Sequence, residues 1–238
     1  MHYYQFKMSH YQKRPCLSPG VAIRVPCETG DQNVTAPEPG PRLGGSHPPF
    51  DIVALAASAG GLAALGKVLS MLPRDFPATV LVVQHLDPRH RSLMADILAR
   101  RTQLPVKEAE QGERIKPATV YVAPPNNHLL VDSDGTLSLS HSELVHFVRP
   151  SADLLFESVG ASYKDRAIAV VLTGTGVDGK MGVQAIKKMA GTVIVQDKQT
   201  SEFFGMPDAA IQTGCADFVL PIDEIADALI KLVMGDKL

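Results

Sequence analysis

The sequence predicts an α/β protein: a doubly wound, mostly parallel sheet with helices on both faces and a small antiparallel hairpin insertion. Three observations point there. Apolar runs at 52–57, 79–84 and 167–173 carry almost no polar residue, as strands buried on both faces require. A stretch with helical spacing follows each run, and strand–helix alternation builds parallel βαβ units. One segment differs, because Leu129–Leu139 alternates around Asp134-Gly135, the signal of a hairpin.

The elements follow in order. Pro and Gly recur through residues 1–48 and break every period, so this segment is expected to be a disordered tail before a folded domain at 49–235. The strand at 52–57 leads into a helix of about 61–72, stopped by Pro73. The strand at 79–84 leads, past Asp87-Pro88, into a helix of about 91–101. A third strand near 118–123 ends at Pro124-Pro125, and the hairpin follows. Pro150-Ser151 can start a helix of 152–164, ahead of the strand at 167–173 and a helix near 180–189. The strand 192–196, a short helix after Pro207, the strand 216–220 and a helix from 222 complete the chain. Apolar positions of that last helix, from Ile222 to Val233, fall at core spacing.

Composition narrows the function classes. The 238 residues suit one sizeable domain plus a tail, or two small domains. A formal net charge of −2 gives no basic footprint for nucleic acid or an anionic membrane. Cys16, Cys27 and Cys215 are scattered without C-x-x-C spacing, which argues against a disulfide framework or structural zinc. No apolar run approaches a membrane span, and the N-terminus lacks the apolar centre of a signal peptide, so a cytoplasmic protein is expected.

Parallel strands all finish at one edge, so Ser58, His85 and Asp178 should share a rim. Ser58 lies in Ala56-Ala57-Ser58-Ala59-Gly60-Gly61, a turn of very small residues that can expose a hydroxyl to substrate and to the N–H groups of the next helix. A plain serine N-cap explains the same residues. The hydrolase elbow G-x-S-x-G is not matched, because Ala56 stands at its first glycine. His85 can serve as general base, or as a hydrogen-bonded structural histidine; a metal site shared with His90 lacks a third ligand.

The loop Leu172–Lys180 admits three readings. Gly174, Gly176 and Gly179 fit the dinucleotide fingerprint, with Asp197 near the spacing of a ribose-binding acid. They also approach a Walker A loop, but Met181 replaces the Ser or Thr that binds magnesium. Simple turn chemistry is the second reading and a triad acid the third. Asp178 would repel a pyrophosphate yet suits the imidazolium of His85, and Ser58 and His85 at the same rim favour the triad.

With these segments in place, the chain resembles the catalytic domain of the chemotaxis protein-glutamate methylesterases, the CheB type. The motifs run from about Phe50 to Val233: Ser58-Ala-Gly-Gly-Leu, Val82-Val-Gln-His-Leu, Val120-Tyr-Val-Ala-Pro-Pro, Arg149-Pro-Ser-Ala-Asp153, Leu172–Gly179 and Phe204-Gly-Met-Pro207. The resemblance implies Ser58 as nucleophile, His85 as base, Asp178 as acid and the Thr175 backbone N–H as oxyanion donor. It implies hydrolysis of glutamyl γ-methyl esters, with glutamine deamidation beside it, on a cytoplasmic segment of a methyl-accepting receptor. No cofactor or metal is implied. Asp178→Asn is expected to be slow through the wrong histidine tautomer. Thr175 stands where many members carry methionine, and Ala56 where they carry glycine. The family's phosphorylatable receiver domain is expected to be absent, which leaves room for a separate regulatory protein.

Remaining residues have competing explanations. Arg149 can face the substrate, although Pro150-Ser151 also reads as a helix start. Met206 can line the site, although Pro207 equally starts a short helix. His128, His141 and His146 read as surface or structural, and Glu108, Glu110 and Glu113 as a solvated face. Two other classes compete with the esterase: a nucleotide-binding enzyme using Gly174–Gly179, and a catalytically idle module that binds receptors.

Overall fold

The computed structural model describes residues 50–85 and 92–234. The expected tail at 1–48, together with Asp87, Pro88 and His90, lies outside the described residues.

The chain order is β1 (Ile52–Ala57), α1 (Gly61–Met71), β2 (Thr79–Gln84), α2 (Met94–Ala99), β3 (Val106–Glu108), β4 (Val120–Val122), β5 (His128–Val131), β6 (Leu137–Ser140), α3 (Ala152–Tyr163), β7 (Ala167–Val171), α4 (Lys180–Lys188), β8 (Thr192–Gln196), α5 (Gly205–Ile211), β9 (Phe218–Leu220) and α6 (Ile222–Met234). Seven strands form one parallel sheet in the order β3-β4-β2-β1-β7-β8-β9, and β5 pairs with β6 as a separate antiparallel hairpin.

The strand runs are apolar throughout because both faces are covered. Val53, Leu55 and Ala57 of β1 pack with α1, α2 and α6 on one face. Ile52, Ala54 and Ala56 pack with α3, α4, α5 and the hairpin on the other. Of the apolar residues of α6, Ile222, Ile225, Ala226, Ala228, Leu229 and Val233 are buried, as the expected core spacing requires.

Three boundaries differ from expectation. β3 was not foreseen: Val106-Lys107-Glu108 is three residues long and half-buried at the sheet edge, too short for a periodic signal. The helix expected at 91–101 is only Met94–Ala99, where the Ser92 hydroxyl accepts the Met94 N–H at 3.0 Å. α5 begins at Gly205, not after Pro207, because a proline is tolerated in the first turn, where its missing N–H has no partner to lose.

Topology positions the site. The chain steps outward from β1 to β2, then fills β3 and β4, and returns on the other side of β1 as β7. The carboxyl ends of β1, β2 and β7 therefore border the point where the winding reverses, the usual crevice of open α/β sheets.

Candidate active site

Ser58 and His85 are placed by strand register. Ala57 of β1 stands opposite Gln84 of β2, so the next residue of each strand emerges side by side. The ladder carries on past the strands: the His85 N–H donates to the Ala57 carbonyl at 3.2 Å, and the Ser58 N–H donates to the Thr173 carbonyl at 3.0 Å. The chain then reverses at Gly60, whose φ of 75° strains any residue with a Cβ. Gly61 opens α1 and donates its N–H to the Ser58 carbonyl at 2.9 Å. No side chain caps α1, so the serine-cap explanation of Ser58 does not describe this turn. The backbone at Ser58 leads directly into the N-terminus of α1, and among the described residues the Ser58 hydroxyl makes no hydrogen bond. Its hydrogen bond to His85 is not formed in this structure; such bonds often tighten only with substrate.

Asp178 is clasped by four donors. His85 Nε2 donates to Oδ2 at 2.8 Å, and the Ala152 N–H donates to the same oxygen at 2.6 Å. The Ser151 hydroxyl donates to Oδ1 at 2.8 Å, and the Asp153 N–H at 3.2 Å. The carboxylate thus occupies the N-terminus of α3, which Ser151 itself does not cap. Gly179, with φ 95°, turns the loop so that Asp178 points inward instead of toward solvent. Burial pushes the Asp178 carboxyl upward, but the bonds from His85, Ala152 and Ser151 outweigh it and hold the group below the ordinary carboxylate range. An ionised carboxylate only accepts, so Nε2 of His85 carries the proton. Nδ1 is then the ring nitrogen that keeps its lone pair.

Behind Asp178 lies a second buried acid. Asp153 accepts the Gly182 N–H at 2.7 Å and His146 Nε2 at 3.2 Å. Burial, and more weakly the charge of Asp178, raises its carboxyl above the ordinary value. His128 is fully buried: its Nδ1 accepts the Ser151 N–H at 3.1 Å and its Nε2 donates to the Glu143 carbonyl at 3.0 Å. Burial, ahead of its other influences, lowers its pKa. Of the two readings offered for this histidine, structural is the one observed.

The Gly174–Gly179 loop packs against Ser58. A Cβ on Gly174 would come within 2.9 Å of Ser58 Cβ and overlap Met206 Sδ. Met206 is therefore beside the serine, held by its N–H bond to the Gly174 carbonyl at 2.9 Å. The Thr175 backbone N–H makes no hydrogen bond among the described residues. A cleft of about 390 Å³ opens from Ser58 along Gly60, Gly61 and Leu62 to Met94 and Arg101.

Other candidates are committed elsewhere. The Arg149 guanidinium donates to Asn126 Oδ1 at 2.6 and 2.9 Å and to the carbonyls of His141 and Ser142 at 2.9 and 2.6 Å, so it braces the loop preceding Ser151. Asp197 accepts the Thr200 N–H at 2.9 Å and its hydroxyl at 2.6 Å, closing its own turn. Lys107 pairs with Glu110 and Glu113, so those two acids are not merely solvated. Gln84 stands in the Val82-Val-Gln-His-Leu motif, but sequence reasoning assigns it no role; a lone glutamine ending an apolar strand is the available signal.

Fold and geometry define a parallel-sheet protein with a serine, a histidine and a buried aspartate gathered at its switch point. Comparison with known proteins narrows this class. The profile of the CheB methylesterase family matches residues 53–229, and the chain belongs to that family. A protein of Leptospira interrogans is 41% identical over 183 residues, covering 77% of this chain and 95% of its own. The protein-glutamate methylesterase FrzG of Myxococcus xanthus is 42% identical over 186 residues, covering 78% of this chain but 56% of its own, so the chain spans little more than half of that relative. The crystal structure of the Thermotoga maritima CheB methylesterase catalytic domain superposes with a TM-score of 0.75 at 41% identity, covering 77% of this chain and 99% of that one.

Proposed function

We propose that the chain hydrolyses glutamyl γ-methyl esters on the cytoplasmic segments of methyl-accepting receptors, through an acyl-Ser58 intermediate. The observation that carries this reading is the clasp of Asp178 on His85 Nε2 at 2.8 Å, at the end of the strand beside Ser58. It leaves Nδ1 as the base. Nδ1 takes the hydroxyl proton as Ser58 Oγ bonds to the ester carbonyl carbon, and Asp178 stabilises the imidazolium that results. The carbonyl oxygen gains the charge, and the Thr175 N–H with the α1 N-terminus can stabilise it. Collapse breaks the ester C–O bond, and Nδ1–H protonates the departing methanol. Water then attacks the acyl-serine, giving up a proton to Nδ1; the acyl–Oγ bond breaks, Nδ1–H returns that proton to Ser58 Oγ, and glutamate is released. A glutamine side chain enters the same steps with ammonia as leaving group, which fits the glutaminase activity named for a Moorella thermoacetica relative.

Among the described residues no helix is long and apolar enough to cross a membrane. The nucleotide-binding alternative draws no support from the site, because Asp178 and Asp197 are both occupied by protein donors. The test is methanol release from methylated receptor segments, matched one for one by new glutamate carboxylates. Receptors that stay methylated would overturn the reading.

A further inference from the structure

Gln84 is a buried polar residue at the end of a strand otherwise apolar along its core face, with 6% of its surface exposed. Its Nε2 donates to the carbonyl of Ser58 at 2.7 Å and to the carbonyl of His85 at 3.1 Å. One amide thus ties the residue read as nucleophile to the residue read as base. The orientation is fixed by chemistry, since turning the amide over would set its oxygen against two carbonyl oxygens. The opposite end of the amide is kept at a cost: Oε1 is buried with no hydrogen-bond partner among the described residues. It lies against the Gly61 Cα, where a side-chain Cβ would overlap it and come within 2.7 Å of Ala57 Cβ. Past the strand ends these two carbonyls have left the β1–β2 ladder, and among the described residues Ser58 O receives only the Gly61 N–H besides.

We infer that Gln84 is a positioning residue that sets the separation of Ser58 and His85. The inference rests on the assignment of those two residues as nucleophile and base. Rates of displacement chemistry fall by about a hundredfold for misplacements near 1 Å, so loss of the tether should act on turnover and leave binding alone.

The experiment measures the rate at which a fluorophosphonate probe labels the full-length protein from pH 5 to 8, for wild type, Gln84→Met and Gln84→Glu. The methionine variant fills the space without donors and should label about ten- to a hundredfold more slowly, with an unchanged circular dichroism spectrum. The glutamate variant donates one hydrogen bond when protonated and repels both carbonyls when ionised. Its rate relative to wild type should be highest at the acid end and fall as pH rises, a pattern that a merely structural role does not give. Wild-type labelling by the methionine variant, or a glutamate-to-wild-type ratio constant with pH, overturns the tether. The ratio test stands even where the methionine variant fails to fold. An unlabelled wild-type protein would instead sink the assignment of Ser58 itself.

Discussion

Asp178→Asn tests the acid clasp, and the structure predicts its outcome in some detail. Asparagine keeps the shape but must turn an NH2 toward two of the four donors. With the NH2 at the Oδ2 position it would oppose the Ala152 N–H at 2.6 Å and force His85 to accept at Nε2, the wrong tautomer. With the NH2 at the Oδ1 position it meets the Ser151 hydroxyl, which can accept, and loses only the longer Asp153 bond of 3.2 Å. The second orientation wins, so the base keeps its lone pair on Nδ1. What is lost is the negative charge that stabilises the imidazolium in the transition state. At an effective dielectric of about 20, that charge is worth roughly 2–4 kcal/mol, or about thirty- to a thousandfold in kcat. A substitution that trapped the wrong tautomer would cost about 10⁴-fold. The assay is kcat for methanol release across the neutral range. A loss under threefold, or one of about 10⁴-fold or more, would refute the argument. The structure thus revises the tautomer effect expected from sequence into a charge effect.

The remaining predictions concern its neighbours. Ser151→Ala removes a buried 2.8 Å donor to Asp178 and should cost about 1–3 kcal/mol in urea unfolding, with a several-fold lower kcat; unchanged unfolding would contradict the clasp. Gly174→Ala drives a Cβ into Met206 and against Ser58, and should lower kcat about tenfold or more at little change in KM. Asp153 has a raised folded pKa, so its contribution to stability falls as pH rises from the unfolded value through the folded one. Asp153→Asn removes that dependence, and its stability relative to wild type should improve between pH 4 and 7; a decline would contradict the assignment. Asp178 has the opposite sign: its depressed pKa contributes stability present above the unfolded value and lost as pH falls through the folded one.

The strands and the three rim residues were legible because both-face burial writes itself as an apolar run, and parallel strands must end together. Ser58, His85 and Asp178 therefore stood out as the polar residues closing such runs. The donors to Asp178 were harder to see. Ser151 was legible only as a helix start, and its bond to an acid 27 residues later depends on how α3 packs beside β7. Arg149 illustrates the converse: an arginine in a motif suggested substrate contact, but its guanidinium is spent on Asn126 and two carbonyls. The role of Gln84 was not legible, although it stands in a quoted motif, because its partners are main-chain carbonyls, which no side-chain pattern reports. β3 escaped because an edge strand of three residues is defined by its neighbour, not by its own sequence.

The central claim is that Ser58, activated by His85, forms the acyl intermediate of a methyl-ester hydrolase. The most direct measurement compares methanol release from a methylated receptor segment by wild-type protein and by Ser58→Ala. Release should fall by about 10³-fold or more, as it does when one member of a coupled triad is removed, while the variant still binds the segment. Release by Ser58→Ala at a rate near that of wild type would contradict it.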